Sequence, residues 1–306
     1  MGSELLMIDL RYHIATIIAL FLALAVGILI GSSIVGDDLL VEQQKKSIDR
    51  LEEQFLSLRE KEKALTEANI FQTTMLANYE NYNQALLPVL VKDRLKGLNV
   101  AVVVTGGSDI PAGMLNSLSI AGANITSKTV VLEEAALKNA DLRAELIDYY
   151  QLDPGTDTDA IRYQVATSVA AVISNEADES VISFLQDKGL VKFSGSGDIP
   201  VQAVIVVGGT EDEDMFLASS FDQGLITHCL ERNLKVYGVE SSQTSFSYME
   251  EYQKNNISTV DNIDLSLGQI ALIYAMEGEP GNYGIKPTAK RFMPSVPVEA
   301  IGGQSR

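Results

Sequence analysis

The stretch Leu98-Asn-Val-Ala-Val-Val-Val-Thr105 is a continuous apolar run of strand length. A strand that is buried on both faces of a parallel sheet has this composition, whereas a strand with one wet face alternates apolar and polar residues. The pattern returns about a hundred residues later, since Ala101-Val-Val-Val-Thr-Gly-Gly-Ser-Asp109 aligns with Ala203-Val-Ile-Val-Val-Gly-Gly-Thr-Glu211. A helical stretch, an Asn and a second strand follow each copy, at 125–132 and at 234–239. The sequence therefore predicts two similar β-α-β units.

The rest of this region alternates in the same way. Helical patterns cover 133–150, 158–174, 179–190, 224–232, 246–254 and 265–276, and a short strand pattern covers 258–260. Strands that alternate with helices are typical of layered α/β folds. We therefore predict a mostly parallel, three-layer α/β domain over residues 91–306.

A Gly-Gly turn follows each of the two matching strands. Open α/β sheets bind ligands at the carboxyl ends of their strands, so the turns are weak ligand-binding candidates, namely Gly106, Gly107 and Ser108 in the first and Gly208, Gly209 and Thr210 in the second. Neither turn has the spacing of a phosphate-binding loop, and neighbouring Asp109 and Glu211 would repel a phosphate. Tight turns without a ligand are the alternative.

Residues 14–35 carry no charge over 22 positions. A helix of this length crosses a bilayer core of ~30 Å, and the run is longer than the apolar core of a signal peptide and does not end in a clean Ala-x-Ala cleavage pattern. We predict a short tail at 1–13 and an uncleaved membrane helix at 14–36. Small residues recur on one face of it, where two membrane helices could approach closely: Ala15, Ala19, Ala23, Gly27 and Gly31. The alternative is the ordinary abundance of Gly and Ala in membrane helices.

We predict a stalk at residues 37–90. Apolar side chains fall into the two core columns of a heptad, with Val41, Ile48 and Phe55 in one and Leu51, Leu58 and Leu65 in the other. This pattern predicts a coiled coil and a homodimer through stalk and membrane helix. Polar residues also occupy the columns, at Gln44, Glu62, Asn69 and Gln72. A lone amphipathic helix is the alternative.

After Asn69 the pattern changes to Phe71, Met75, Leu76, Tyr79, Tyr82 and Leu86. We expect this stretch to pack onto the globular domain. Pro88 should end or kink the helix soon after, because proline lacks the backbone donor that continues it.

Composition and motifs argue against several functions. A formal net charge of −18 excludes nucleic acid as a partner, because binding to phosphates needs a basic surface. His228 and Cys229 are adjacent on a predicted helix and do not face each other, Cys229 reads as a buried, inert thiol, and no Gly-x-Ser-x-Gly motif is present. The acidic run 211–214 lacks the spacing of a calcium loop, and the methionines after the span are not closely spaced. We predict no enzyme, and no catalytic, cofactor or metal residues.

Three segments carry a family resemblance: Arg11-Tyr12-His13 before the span, Phe21-Leu-Ala-Leu-Ala-Val-Gly-Ile28 with Gly31 within it, and Gly281-Asn-Tyr-Gly-Ile-Lys-Pro-Thr-Ala289 with Pro294 near the end. With the stalk and the α/β domain, they resemble the MctB-like copper transport protein family, also described as SteB. The resemblance implies an envelope protein with its domain outside the cytoplasm, in copper efflux or homeostasis, or a SteB-like partner in cell division and envelope remodelling. Copper enters only through this resemblance.

Two functions follow as hypotheses. The family favours copper transport or copper homeostasis. The residues favour a non-enzymatic coiled-coil adaptor that has no metal site of its own and docks another envelope protein. Because one apolar helix is not the closed barrel that spans an outer membrane, we predict a single-pass protein in the plasma membrane with an extracytoplasmic C-terminal domain.

Overall fold

The computed structural model describes residues 10–107, 109–195 and 199–295. The chain divides into two units, Met1–Leu76 and Ala77–Arg306. The first helix, α1, runs from Leu10 to Val91. No Gly or Pro interrupts residues 37–87, where both would weaken a helix. Pro88 lies inside α1, three residues before its end.

The first unit contains the apolar span. Residues Arg11–Ser32 contain an 18-residue stretch with a mean hydropathy of 2.8 and form the one helical segment, within the described ranges, that is long and apolar enough to cross a membrane. Its side chains are exposed in the isolated chain. The N-terminal apolar helix is therefore present as predicted.

The second unit contains a seven-stranded sheet. Its strands are β1 (Asn99–Val104), β2 (Asn124–Val131), β3 (Val191–Gly195), β4 (Ala203–Gly208), β5 (Lys235–Glu240), β6 (Ser258–Val260) and β7 (Asn282–Tyr283), in the order β3-β2-β1-β4-β5-β6-β7. Every neighbouring pair is parallel except β2 and β3. The mostly parallel sheet is confirmed, although β3 and β7 had not been predicted.

The remaining helices are α2 (Ala112–Ile120), α3 (Ala140–Tyr149), α4 (Thr158–Ile173), α5 (Glu179–Asp187), α6 (Gln223–Glu231), α7 (Met249–Gln253) and α8 (Ser266–Glu277). The segments β1-α2-β2 and β4-α6-β5 are the two predicted β-α-β units. Residues 133–150 are not one helix, because a 3₁₀ turn at Glu133–Ala136 ends with Leu137 at φ 54° and Asn139 caps α3. The predicted helix 246–254 begins only at Met249, because Phe246 pairs with Thr210 in an isolated bridge.

Two cores lie on opposite faces of the sheet. In β1, Val100, Val102 and Val104 join a core formed with α2, α8 and the end of α1, whereas Ala101 and Val103 join a core formed with α4 and α6. The alternation follows from the period of two along a strand. The predicted three-layer α/β architecture is confirmed.

The end of α1 packs differently from the prediction. Within the second unit, Tyr79 and Tyr82 are 59% and 65% exposed, so the predicted packing of these two side chains onto the globular domain is wrong, whereas Leu86 is half-buried. The core of the second unit takes Leu87 and Val91 instead, on a different face of the helix.

The β7 edge of the sheet is covered by its own chain. Lys290 and Arg291 donate their backbone N–H groups to the carbonyl of Asn282, and Gly284 donates to the carbonyl of Arg291. The edge is thereby shielded, as natural sheets usually require.

Candidate functional site

The two Gly-Gly turns lie together at the carboxyl ends of β1 and β4, where the strand order reverses direction. Such a reversal is the usual ligand-binding crevice of open α/β sheets. A Cβ at Gly106 would lie only 2.5 Å from the carbonyl oxygen of Gly209. Glycine is required here because the turns pack directly against each other. Of the two glycines in the first turn, Gly107 is the open one, since an added Cβ there meets nothing within 4 Å.

The second turn rests on aromatic side chains. A Cβ at Gly208 would collide with the hydroxyl of Tyr252 and the ring of Tyr248. Thr210 is buried, and its hydroxyl accepts from the N–H of Asp212 at 3.1 Å. The structure thus brings together the predicted turn residues that it describes, and Ser108 lies outside them. Both turns pack against other groups of the same chain.

A buried acid, Asp222, lies beneath these turns. Its Oδ2 accepts from the hydroxyls of Thr105 at 2.9 Å and of Tyr252 at 2.5 Å, while Oδ1 has no hydrogen-bond partner among the residues that the structure describes. Burial raises the pKa of Asp222 to about 6, and the hydrogen bonds from Tyr252 and Thr105 oppose the rise. Asp222 ends a π-helical turn, Ala218–Asp222, a conformation frequent at functional sites. No motif in the sequence had marked Asp222 as a candidate.

A second buried carboxylate, Glu240, ends β5 at the same edge of the sheet. Lys286 Nζ lies 2.7 Å from its Oε1, and Ser247 Oγ donates to the same oxygen at 2.6 Å. The N–H of Tyr248 donates to Oε2 at 2.8 Å. Both oxygens of this carboxylate thus have partners inside the protein, as a buried ion requires.

Asp261, which follows β6, binds the closing motif. Its two carboxylate oxygens accept from the backbone N–H groups of Ile285 at 2.7 Å and Lys286 at 3.0 Å. Gly284 has φ 139°, and a Cβ there would overlap the carboxylate. The Gly-Ile-Lys of the motif therefore fastens the C-terminal segment across the carboxyl edge. The sequence analysis did not predict Glu240 and Asp261, although each is a charged residue directly after a predicted strand.

The acidic run 211–214 is also engaged with the rest of the chain. Glu211 accepts from the N–H and hydroxyl of Ser245, and Asp212 accepts from the N–H of Asp214. Asp214 binds Lys138 at 2.6 Å, and this hydrogen bond lowers the pKa of the carboxyl group. The carboxylates of the run therefore bind separate partners and do not converge on one point.

The soft donors suited to copper do not converge either. Cys229 is buried in the apolar core, which raises its thiol pKa to about 12, while the ring of neighbouring His228 lies 3.2 Å from Glu176. Met114, Met215, Met249 and Met276 are also buried in the cores. Across the described ranges, no group of three or more His, Cys, Asp or Glu residues could hold a metal ion. These residues do not fit a resident copper site.

The predicted packing residues of the first unit are solvent-exposed. Large side chains of the heptad columns are 61–71% exposed, namely Val41, Ile48, Leu51, Phe55, Leu58 and Leu65. In the apolar span Ala15, Ala19 and Ala23 are exposed, and Gly27 and Gly31 have open space where a Cβ would stand. Their pairing with a second helix stays a prediction.

Comparison with known proteins places the chain in a family. The family model described as "Copper transport outer membrane protein, MctB" matches residues 7–294. The protein named copper transporter MctB in Mycobacterium tuberculosis is 24% identical over 319 residues, which cover 91% of this chain and 96% of that protein. Its namesake in Mycobacterium leprae is 26% identical over 321 residues with the same coverage. Since the match spans nearly all of the chain, this protein belongs to the MctB copper transport family.

Proposed function

We propose that this protein acts in copper homeostasis as a single-pass, non-enzymatic adaptor of the plasma membrane. The N-terminal helix anchors it, the stalk pairs two copies, and the α/β domain stands outside the cytoplasm and docks another envelope protein. Family membership supports the role in copper handling, and the span Arg11–Ser32 supports the anchor.

The exposed heptad columns carry the adaptor part of the proposal. Six large apolar side chains of the stalk, from Val41 to Leu65, each expose more than half of their surface. Because burying one such side chain contributes about 1.5–3 kcal/mol, a stalk that stayed unpaired would forgo much stabilisation. Heptad spacing is what a second helix needs to cover them by knobs-into-holes packing.

The positions of the copper donors support an indirect role. Cys229 faces the apolar core between α4 and α6, and His228 is directed to Glu176. A thiol whose pKa is raised by burial is a poor ligand, because the thiolate is the form that binds metal. An adaptor would assist a copper-handling partner and need no site of its own.

Direct copper binding is the second candidate function, because the relatives are named copper transporters. The test is a Cu(I) competition titration of the full-length protein in detergent against a chromophoric chelator. The adaptor proposal expects no Cu(I) to be withdrawn from the chelator. Stoichiometric withdrawal by both the wild type and Cys229→Ser would contradict it. Withdrawal that is lost in Cys229→Ser would place copper on the core thiol and contradict it as well.

The side of the membrane needs its own test. Cys229 is buried, so a cysteine that replaces exposed Glu60 would be the reactive thiol among the described residues. If the stalk is extracytoplasmic, a membrane-impermeant maleimide should label Glu60→Cys in intact cells. Labelling only after cell lysis would place the stalk in the cytoplasm.

A further inference from the structure

The end of α1 caps a different helix. Glu80 Oε1 accepts from the N–H of Ser266 at 2.9 Å and from its hydroxyl at 2.6 Å. Ser266 is the first residue of α8, whose N-cap residue Leu265 provides no side-chain cap and whose first turn has no acidic residue. A helix N-terminus has free N–H groups and a partial positive charge. Glu80 therefore supplies from α1 the carboxylate that α8 lacks.

The C-terminal end of α8 contacts the segment that follows α1. Arg94, three residues after the end of α1, lies with its guanidinium 2.6 Å from Glu277 and 4.2 Å above the ring of Tyr274. Between these contacts Leu87 and Val91 of α1 share a core with α8. The C-terminal part of α1, together with the residues just after it, thus contacts both ends of the buried helix α8.

The loop just before Ser266 organises the carboxyl edge of the sheet. In residues 261–265, Asp261 binds the N–H groups of Ile285 and Lys286, and Asp264 accepts from the N–H of Ser242 at 2.7 Å and from its hydroxyl at 2.6 Å. The N–H of Ile263 donates to the carbonyl of Glu240 at 3.0 Å. Leu265, the last residue of this loop, directly precedes Ser266, the residue that Glu80 holds.

We infer that Glu80 couples the base of α1 to the carboxyl edge of the α/β domain. The contact with Ser266 fixes the start of α8, and the start of α8 fixes the loop 261–265. The loop in turn sets the positions of Asp261, of the Gly284–Lys286 turn and of the buried Glu240–Lys286 pair. A change in α1 that withdraws Glu80 loosens this network, so the helix that carries the anchor also regulates the edge where α/β sheets bind ligands.

Hydrogen exchange of the full-length protein in detergent tests the coupling. The reporters are the amides of Ser242, Ile285 and Lys286, none of which contacts Glu80. In Glu80→Ala we expect their exchange to accelerate about tenfold or more, and in Glu80→Gln, which keeps an acceptor oxygen, by much less. The matched control is Glu60→Ala, an exposed α1 position, where exchange should stay within about twofold. Acceleration confined to the amides next to Ser266 would overturn the inference, as would equal acceleration in Glu60→Ala.

A double-mutant cycle provides the second test. Distant sites with no shared partner have nearly additive effects. For Glu80→Ala and Lys286→Met we expect the unfolding equilibrium constant of the double variant to differ by about fivefold or more from the value that the single changes predict. Agreement within about twofold would show that the two sites are independent and would overturn the inference. If Glu80→Ala does not fold, the same cycle with Glu80→Gln decides it.

Discussion

Lys286 Nζ lies 2.7 Å from Oε1 of Glu240, a carboxylate with no solvent-exposed surface. The lysine comes from the closing motif and the glutamate from the end of β5, 46 residues earlier in the chain. Lys286 Nζ also donates to the carbonyl of Ser241 at 2.9 Å. The pair therefore fixes the C-terminal segment to the centre of the carboxyl edge.

Removal of Lys286 should destabilise the domain strongly. Lys286→Met would leave Glu240 buried without a cation, and breaking a buried pair in this way costs about 3–5 kcal/mol. Chemical denaturation should show this loss, and the double variant Glu240→Gln/Lys286→Met should recover at least half of it, because the uncompensated charge is gone. The control is Lys254→Met at an exposed pair with Glu251, which should change stability by less than about 1 kcal/mol. Equal effects of the two lysine variants would contradict the structure.

Two glycines with similar backbone angles should respond differently to alanine. Gly284 has φ 139° and Gly278 has φ 143°, but a Cβ at Gly278 meets nothing within 4 Å, whereas one at Gly284 overlaps the Asp261 carboxylate. Gly278→Ala should cost about 1–2 kcal/mol of backbone strain. Gly284→Ala should cost more than about 3 kcal/mol, because it also displaces Asp261 from two N–H groups. Unfolding midpoints of the two variants, measured together, would show the difference. A smaller loss of stability in Gly284→Ala than in Gly278→Ala would refute the role of Asp261 in holding the Gly284–Lys286 turn.

Asp222 should make stability depend on pH. Its folded-state pKa of about 6 exceeds the ordinary value of 3.8, so between these values the folded state binds more protons than the unfolded state. The contribution of this group is fully present below about pH 4 and is lost as pH rises through about 6, with a total of about 3 kcal/mol. Denaturation of the wild type and of Asp222→Asn at pH 4.5 and 7.5 would isolate it. The wild type should lose more stability than Asp222→Asn on going to the higher pH, and parallel losses would exclude a raised pKa.

The stalk should form a cross-link at its seam. Leu58 lies in a core column of the heptad, and Glu60 lies on the opposite side of the same helical turn. In a parallel dimer, Leu58→Cys should oxidise readily to a disulfide-linked dimer in membranes, since equivalent core positions of two chains are neighbours. Glu60→Cys should remain monomeric on non-reducing gels. Similar yields from both variants would indicate random collision and argue against the coiled coil.

The fold was predictable where a local pattern has one structural solution. The all-apolar strands at 101–104 and 203–207 could only be central strands, and they became β1 and β4. β3 and β7 were not predicted because neither has such a pattern. Val191–Gly195 includes exposed residues, and Asn282–Tyr283 is only two residues long. Their strand conformation comes from pairing with β2 and β6, which is tertiary information.

The candidate site was less predictable for a related reason. The Gly-Gly turns could be predicted because paired glycines at the end of an apolar strand indicate a tight turn. The buried charges at 222, 240 and 261 were not predicted, because their partners Tyr252, Lys286 and Ile285 lie 24–46 residues away. The face of α1 that packs was missed for the same reason, since its outward positions carry the larger aromatic side chains.

The covered β7 edge restricts how another protein can recognise this domain. A common mode of recognition adds an extended peptide as a new strand to an open sheet edge and draws its affinity from backbone hydrogen bonds. At β7 the backbone groups of Asn282 and Gly284 are already paired with residues 290 and 291. The envelope partner proposed above, if it binds at this side, would therefore have to be selected through side chains such as exposed Ile285 and Phe292, and changes in their identity, rather than in the sheet itself, would alter that selection.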